Sequence, residues 1–101
     1  MEIRFKTKKL QKQYEQSKEA IKAYGIDVAM RYVTRVNIIK SAKCFEDLCL
    51  IAPLRFHQLT GNREGQYSIY LNGFYRLIIT NDGDGNVDIA KIEEVSKHYG
   101  D

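Results

Sequence analysis

His57, Arg63 and Arg76 fall within one stretch, Leu54 to Thr80, whose remaining residues read as β-sheet. Histidine moves protons near neutral pH. Arginine stays protonated and grips two oxygens of a phosphate or carboxylate at once. Close together on a rigid sheet, these three side chains suit an anionic substrate, phosphate above all. Each also has a plainer reading: a hydrogen-bonded structural histidine for His57, an exposed turn residue for Arg63, and for Arg76 a solvated arginine or one paired with Asp88 or Glu93. Residue types alone leave these alternatives open.

Two further groups carry polar chemistry. The chain ends Lys97-His98-Tyr99-Gly100-Asp101, where an imidazole and a phenol suit proton transfer and stacking on bases, although a frayed terminus needs no role. Near the other end, Lys6, Lys8, Lys9 and Lys12, with Arg31 and Arg35 further on, form a basic set that could meet phosphates or an acidic partner.

These residues need elements to hold them. Two runs rich in β-branched and aromatic residues flank Asn72-Gly73, a strong hairpin signal because a type I′ turn requires positive φ at both central positions. Gly61 and Gly65 bracket a second turn, so the stretch forms a three-stranded meander. The pattern predicts strands over Arg55 to Leu59, Gln66 to Leu71, Phe74 to Thr80 and Val87 to Val95, with a short one at Ile3 to Phe5. Between the first strand and the meander lie helices. Thr7 caps one whose apolar stripe runs Leu10, Tyr14, Ile21, Tyr24, with Ser17 in the remaining slot. Gly25 ends it, and Asp27 caps a second helix with Val28, Ala29, Tyr32, Val33, Val36, Ile38 and Ile39 on its apolar face, making an antiparallel helical hairpin. A further helical turn or two is expected from Ser41 to about Leu50, closed by Pro53. The order indicates an α+β fold, with an N-terminal helical hairpin packed on one face of a small antiparallel β-sheet, as a single domain over residues 1–101.

Charge is uneven along the chain. Up to Lys43 there are eleven Lys/Arg against four acids; beyond it, five against nine, for a net +3. A basic helical half therefore sits on a mildly acidic sheet half, and a solvated helix face is the plainest account of the lysines. Cys44 and Cys49 are spaced to lie on different helix faces and form no CxxC pair, so buried reduced thiols are expected and zinc binding is not. No stretch approaches membrane-spanning length and Met1 to Phe5 lacks a signal-peptide core, which fits a cytoplasmic protein. Asp82 to Glu93 mimics a calcium loop, but its sixth position, where the sharp turn needs glycine, is Val87, and its flanks read as strands. A polar loop between two strands is the expectation there.

Three segments together resemble the HigB-type plasmid maintenance killer toxins of the RelE/ParE superfamily. They are Phe5-Lys6-Thr7-Lys8-Lys9-Leu10; Arg55 to Ile69, with His57-x-Leu59-x-Gly61-x-Arg63-x-Gly65 at its heart; and Tyr75-Arg76-Leu77-Ile78. The resemblance covers essentially the whole chain. It implies two N-terminal helices on a small antiparallel sheet, and a toxin of a type II toxin–antitoxin system that cuts mRNA on the translating ribosome. No metal or other cofactor is implied. The implied partners are the ribosome, its message and a helix-turn-helix, HigA-like antitoxin that forms a hetero-oligomer with the toxin. Metal-free RNA cleavage uses the ribose 2′-OH as nucleophile and needs a proton acceptor, a proton donor and positive charge on the phosphorane. On this reading Arg76, Arg63, His57, His98 and Tyr99 are catalytic, and Lys97, Lys8, Lys9 and Lys12 bind substrate. Similar toxins commonly end in an Asp-Tyr-His-like group, whereas here the order is His98-Tyr99, with Lys97 where an acid is expected.

Other departures reduce the positive charge of the expected site. Thr60 stands where many relatives carry lysine, and Glu64 replaces a frequent basic residue. They favour a rival of another class, a non-enzymatic topoisomerase poison of ParE type or an inactive antitoxin-binding relative. A third option is a basic RNA-binding domain without catalysis.

Overall fold

The computed structural model describes residues 1–97. Strand β1 (Glu2–Phe5) leads into helices α1 (Lys8–Glu15), α2 (Ser17–Tyr24) and α3 (Ile26–Ser41), then one turn of helix, α4 (Phe45–Leu48). The chain continues through β2 (His57–Gln58), β3 (Gln66–Asn72), β4 (Tyr75–Asn81) and β5 (Ile89–Lys97). The five strands lie in the order β1-β5-β4-β3-β2, antiparallel except for β1, which runs parallel to β5. The expected α+β architecture is what forms.

Alternation along the strands divides the sheet. Ile69, Leu71, Leu77, Ile79, Ala90 and Ile92 point to the helices and share a core with Leu10, Ala20, Val28, Tyr32, Val36 and Ile39. Burial of these side chains drives the docking of the helices, at roughly 25 cal/mol per Å² of apolar surface removed from water. The opposite face carries His57, Ser68, Tyr70, Arg76 and Glu94, linked by the strand register.

The first expected helix is two. At Gln16 the backbone turns extended (φ −127°, ψ 93°), separating α1 from α2. Ser17 is consequently exposed, while Gln13 and Ala20 are buried. The break is held by the Tyr24 hydroxyl, which donates to Gln13 Oε1 at 2.7 Å. Thr7 caps α1 as expected, its Oγ1 accepting from Leu10 N at 3.1 Å. Asp27, in contrast, is no cap. It lies inside α3, whose N-cap is Gly25 at φ 82°, and it pairs with Arg31 one turn on at 3.4 Å.

The hairpin also turns one residue later than expected. Asn72 pairs with Tyr75, so Gly73 and Phe74 are the central residues. The Asn72 side-chain oxygen accepts from the N–H groups of Phe74 and Tyr75, each at 2.9 Å, which supplies the turn without the positive φ of a type I′ geometry. Leu71 becomes a bulge. Beyond the reach of short β2, the carbonyls of Tyr70 and Leu71 accept from Arg35 Nε and Arg31 Nη1 of α3. These two arginines therefore brace helix to sheet. Burial, followed by the nearby Arg31 charge, lowers the Arg35 pKa.

Between β4 and β5 the calcium-loop lookalike is a loop joining two strands. Its side chains turn inward on their own backbone: Asn81 Oδ1 accepts from Gly83 N, and Asp84 Oδ1 from Asn86 N. A side chain at Gly83 would meet the Val87 carbonyl at 1.9 Å, which restricts that position to glycine. Neither cysteine is buried. Cys44 is half-buried and Cys49 exposed, because they flank α4 as its N-cap and C-cap while Phe45 and Leu48 take its inner face.

One contact ties this loop to the sheet's far edge. Asp88 accepts from Phe45 N at 2.7 Å and from Asn81 Nδ2 at 2.8 Å, capping α4 from a distance. Phe45 packs edge-on against Phe56 and Tyr67, which stack on each other 5.2 Å apart. The Phe45 N–H, and then the Asn81 amide, hold the Asp88 carboxyl below its ordinary value of 3.8. Asp88→Ala is expected to cost about 1–3 kcal/mol at pH 7 in urea unfolding. A depressed folded pKa contributes stability above the unfolded value that is lost as pH falls through the folded one. The gap between wild type and variant should therefore narrow below pH 3.8.

Candidate functional site

Phe56 is anchored inward by the aromatic cluster, so the next residue, His57, points outward on the open face. His57 pairs across the sheet with Ser68, Ser68 with Ile78, and Ile78 with Glu94. The adjacent row is Tyr70, Arg76 and Ser96. His57 and Arg76 are thus two strands apart and one row out of step, roughly 10 Å across and 7 Å along between backbones. Their side chains converge on a cleft of about 320 Å³. Arg55, Ser68, Tyr70, Asn72, Gly73 and Tyr75 complete its walls.

Arg76 is the second residue of β4, just past the hairpin turn, and precedes the buried Leu77 and Ile78. Neither Asp88 nor Glu93 holds it: Asp88 is occupied as described, and Glu93 accepts from Thr80 and pairs with Lys6 and Lys91. The Arg76 Nε is buried and has no hydrogen-bond partner among the described residues. A buried donor left unsatisfied costs on the order of 1–3 kcal/mol, and Arg76 as a residue lines the cleft, to which it brings a positive charge uncompensated among the described residues and suited to an anion.

His57 is exposed, and its Nδ1 lies 2.8 Å from the Arg55 carbonyl oxygen. A carbonyl only accepts, so the proton belongs on Nδ1 and the Nε2 lone pair is left to take a proton. This fixed tautomer is what a general base requires.

Arg63 occupies a 3₁₀ turn (Gly61–Arg63) and reaches over the same sheet face. Its guanidinium is shared between Gln66 Oε1 at 2.9 Å and Glu94 Oε1 at 3.1 Å. Because Glu94 faces Ile78 and Gln66 faces Thr80, Arg63 sits over the rows beyond that of Arg76, outside the cleft lining. Both partners are over a third exposed, so the pair is worth only about 0–1 kcal/mol and can be exchanged for a phosphate.

Lys97 ends β5 opposite Tyr75, its Nζ 5.9 Å from that ring. His98 and Tyr99 lie outside the described residues. Lys8, Lys9 and Lys12 sit on α1, in the helical layer, and none lines the cleft. Lys9 and Lys12 instead share a shallow groove with Lys22 and Glu19. Among the described residues no three His, Cys, Asp or Glu side chains gather as metal ligands, and no helix is long and apolar enough to cross a membrane.

Sequence reasoning missed Arg55 and Tyr70 as site residues. Arg55 is the one non-glycine residue with positive φ among those described, at 46°, and its guanidinium lies 4.4 Å from the centre of the Tyr70 ring. The only hint in the sequence is that Arg55 and His57 share a face if strand alternation is extended back through Phe56.

A family model described as the RelE-like toxin of the type II toxin–antitoxin system HigB matches residues 3–92. No curated protein matches the chain. Among solved structures, the YoeB/ParE toxin from Agrobacterium tumefaciens superposes with a TM-score of 0.62 at 15% identity, covering 98% of this chain and 100% of that one. The YoeB-YefM complex from Staphylococcus aureus gives 0.61 at 19% identity, and YafQ from E. coli strain BL21(DE3) gives 0.61 at 14%, each covering 98% of both chains. At these identities the superpositions establish a shared fold.

Proposed function

This chain belongs to the HigB family of RelE-like toxins of type II toxin–antitoxin systems, and from that premise we propose that it cleaves mRNA on the translating ribosome by metal-free attack of a ribose 2′-OH. The observation that carries this reading is that Arg76, with no carboxylate partner among the described residues, lines the same cleft as His57. His57 Nε2 accepts the 2′-OH proton. The freed oxygen attacks phosphorus, the bond to the 5′-oxygen breaks, and a 2′,3′-cyclic phosphate remains. Arg76 carries the charge that develops on the non-bridging oxygens, and Arg63 joins it once released from Glu94. His98 and Tyr99 are assigned to protonating the 5′-oxygen and stacking on a base, in line with the family's usual terminus. Lys8, Lys9, Lys12 and Lys97 contribute phosphate contacts outside the cleft, which makes binding salt-dependent.

The partner is a helix-turn-helix, HigA-like antitoxin, a reading supported by the family's place in type II toxin–antitoxin systems and by the two-component YoeB-YefM complex of the S. aureus neighbour. The place of action is the cytoplasm, where ribosomes translate. Induced expression should arrest growth, co-expression of the antitoxin should restore it, and purified protein should cut message only with ribosomes present. Growth at the normal rate under high expression, with message intact on ribosomes, would refute the proposal.

One observation favours a second reading. Glu94 neutralises Arg63, and Thr60 and Glu64 withhold charge nearby, as suits a non-enzymatic ParE-like poison or an inactive antitoxin-binding relative. Gyrase inhibition without message cleavage would select it.

A further inference from the structure

We propose that the stacked pair Arg55–Tyr70 is a nucleobase platform, which holds the base next to the scissile phosphate by stacking on the outer face of the Arg55 guanidinium. The inference rests on the RNA-cleavage reading of the cleft and adds the part of the substrate that the phosphate-binding groups leave unread.

Three observations lead to it. The Arg55 guanidinium carbon lies over the Tyr70 ring, 4.4 Å from its centre, within cation–π distance. Both residues line the cleft that holds His57 and Arg76. Arg55 is exposed, and no carboxylate pairs with it among the described residues, in contrast to Arg63 and Arg31.

A guanidinium accepts π-stacking on both faces. A guanidinium seated on the Tyr70 ring has one face covered and one left for a base that enters the cleft both residues line. Stacking of this type is tolerant of base identity, because every base has a π-face. A phosphate anchor alone would not need the ring, since an unpaired arginine on any flexible stem would serve.

The backbone supports the assignment. Arg55 adopts φ 46° and ψ 42°, the left-handed region that β-carbon sterics disfavour, at the end of the 3₁₀ turn Ala52–Leu54. The same residue's carbonyl holds His57 Nδ1. One strained position thus aims the platform with its side chain and fixes the base's tautomer with its main chain. Glycine there would keep the second property and lose the first.

The test compares adenosine 5′-monophosphate with ribose 5-phosphate by NMR titration of the protein alone. Both ligands should shift the Arg76 Nε signal. Only the nucleotide should shift the Tyr70 ring and Arg55 Nε, and it should bind about tenfold more tightly. Arg55→Gly, which relieves the backbone strain, should erase that tenfold advantage. Arg55→Lys, which keeps the charge without the plane, should erase it too. Equal affinity for the two ligands, an unmoved Tyr70 ring, or an advantage retained by Arg55→Lys overturns the platform. Ribosome assays read the parent proposal separately. Nucleotide stacking with message left intact keeps the platform and removes the nuclease, whereas message cleavage with no preference for the nucleotide does the reverse.

Discussion

Arg76→Ala is expected to slow message cleavage on programmed ribosomes by about 10²–10³-fold and to abolish growth arrest. Pentavalent phosphorus carries more charge on its non-bridging oxygens than the ground-state diester. A donor preorganised in a partly buried cleft is worth more against that developing charge than it would be in water. Arg76 is held for this by its surroundings, with Tyr70 and Ser96 opposite it in the neighbouring strands and Leu77 and Ile78 following it in the core. Arg76→Lys should recover only part of the loss, because an ammonium cannot bridge two oxygens. Stability should change by less than about 1 kcal/mol in urea unfolding, because relief of a buried donor with no partner among the described residues offsets the packing lost with the side-chain stem. An alanine variant that cleaves within tenfold of wild type would remove Arg76 from the mechanism.

The second large effect is expected at His57. His57→Ala should lower single-turnover cleavage by about 10²–10⁴-fold, the range for loss of a positioned proton acceptor. The two residues should separate by what they do to binding. A message with 2′-deoxyribose at the scissile position cannot react, and His57→Ala should bind it on the ribosome as tightly as wild type does. Arg76→Ala should bind it more weakly, because its contact is to the phosphate that remains. His57→Asn supplies a control, as its amide can still donate toward the Arg55 carbonyl but offers no basic nitrogen where Nε2 stood. Cleavage by the asparagine variant near the wild-type rate would make His57 structural.

Much of this molecule follows from local chemistry. Alternation in Gln66 to Thr80 and the apolar face from Val28 to Ile39 specify a sheet covered by helices, because only that arrangement buries both faces. Types and spacing also nominated His57, Arg63 and Arg76. Where local signals were ambiguous, tertiary contacts decided. The break at Gln16 depends on Tyr24 reaching Gln13, and the turn at Gly73-Phe74 on the Asn72 side chain, which outweighed the preference of Asn-Gly for a type I′ turn.

The composition and order of the sequence determined the α+β layering and the presence of a histidine and arginines on one stretch of sheet. Only the folded chain decided which of those cations lacks a counter-charge. Arg63 meets Glu94, thirty-one positions away, while among the described residues Arg76 meets no acid and Arg55 meets a tyrosine ring. The physical reason is that pairing is a property of distance in space. Strand register brings residues 57, 68, 78 and 94 into one row and residues 70, 76 and 96 into the next, and the spacing within any one segment contains no trace of those rows.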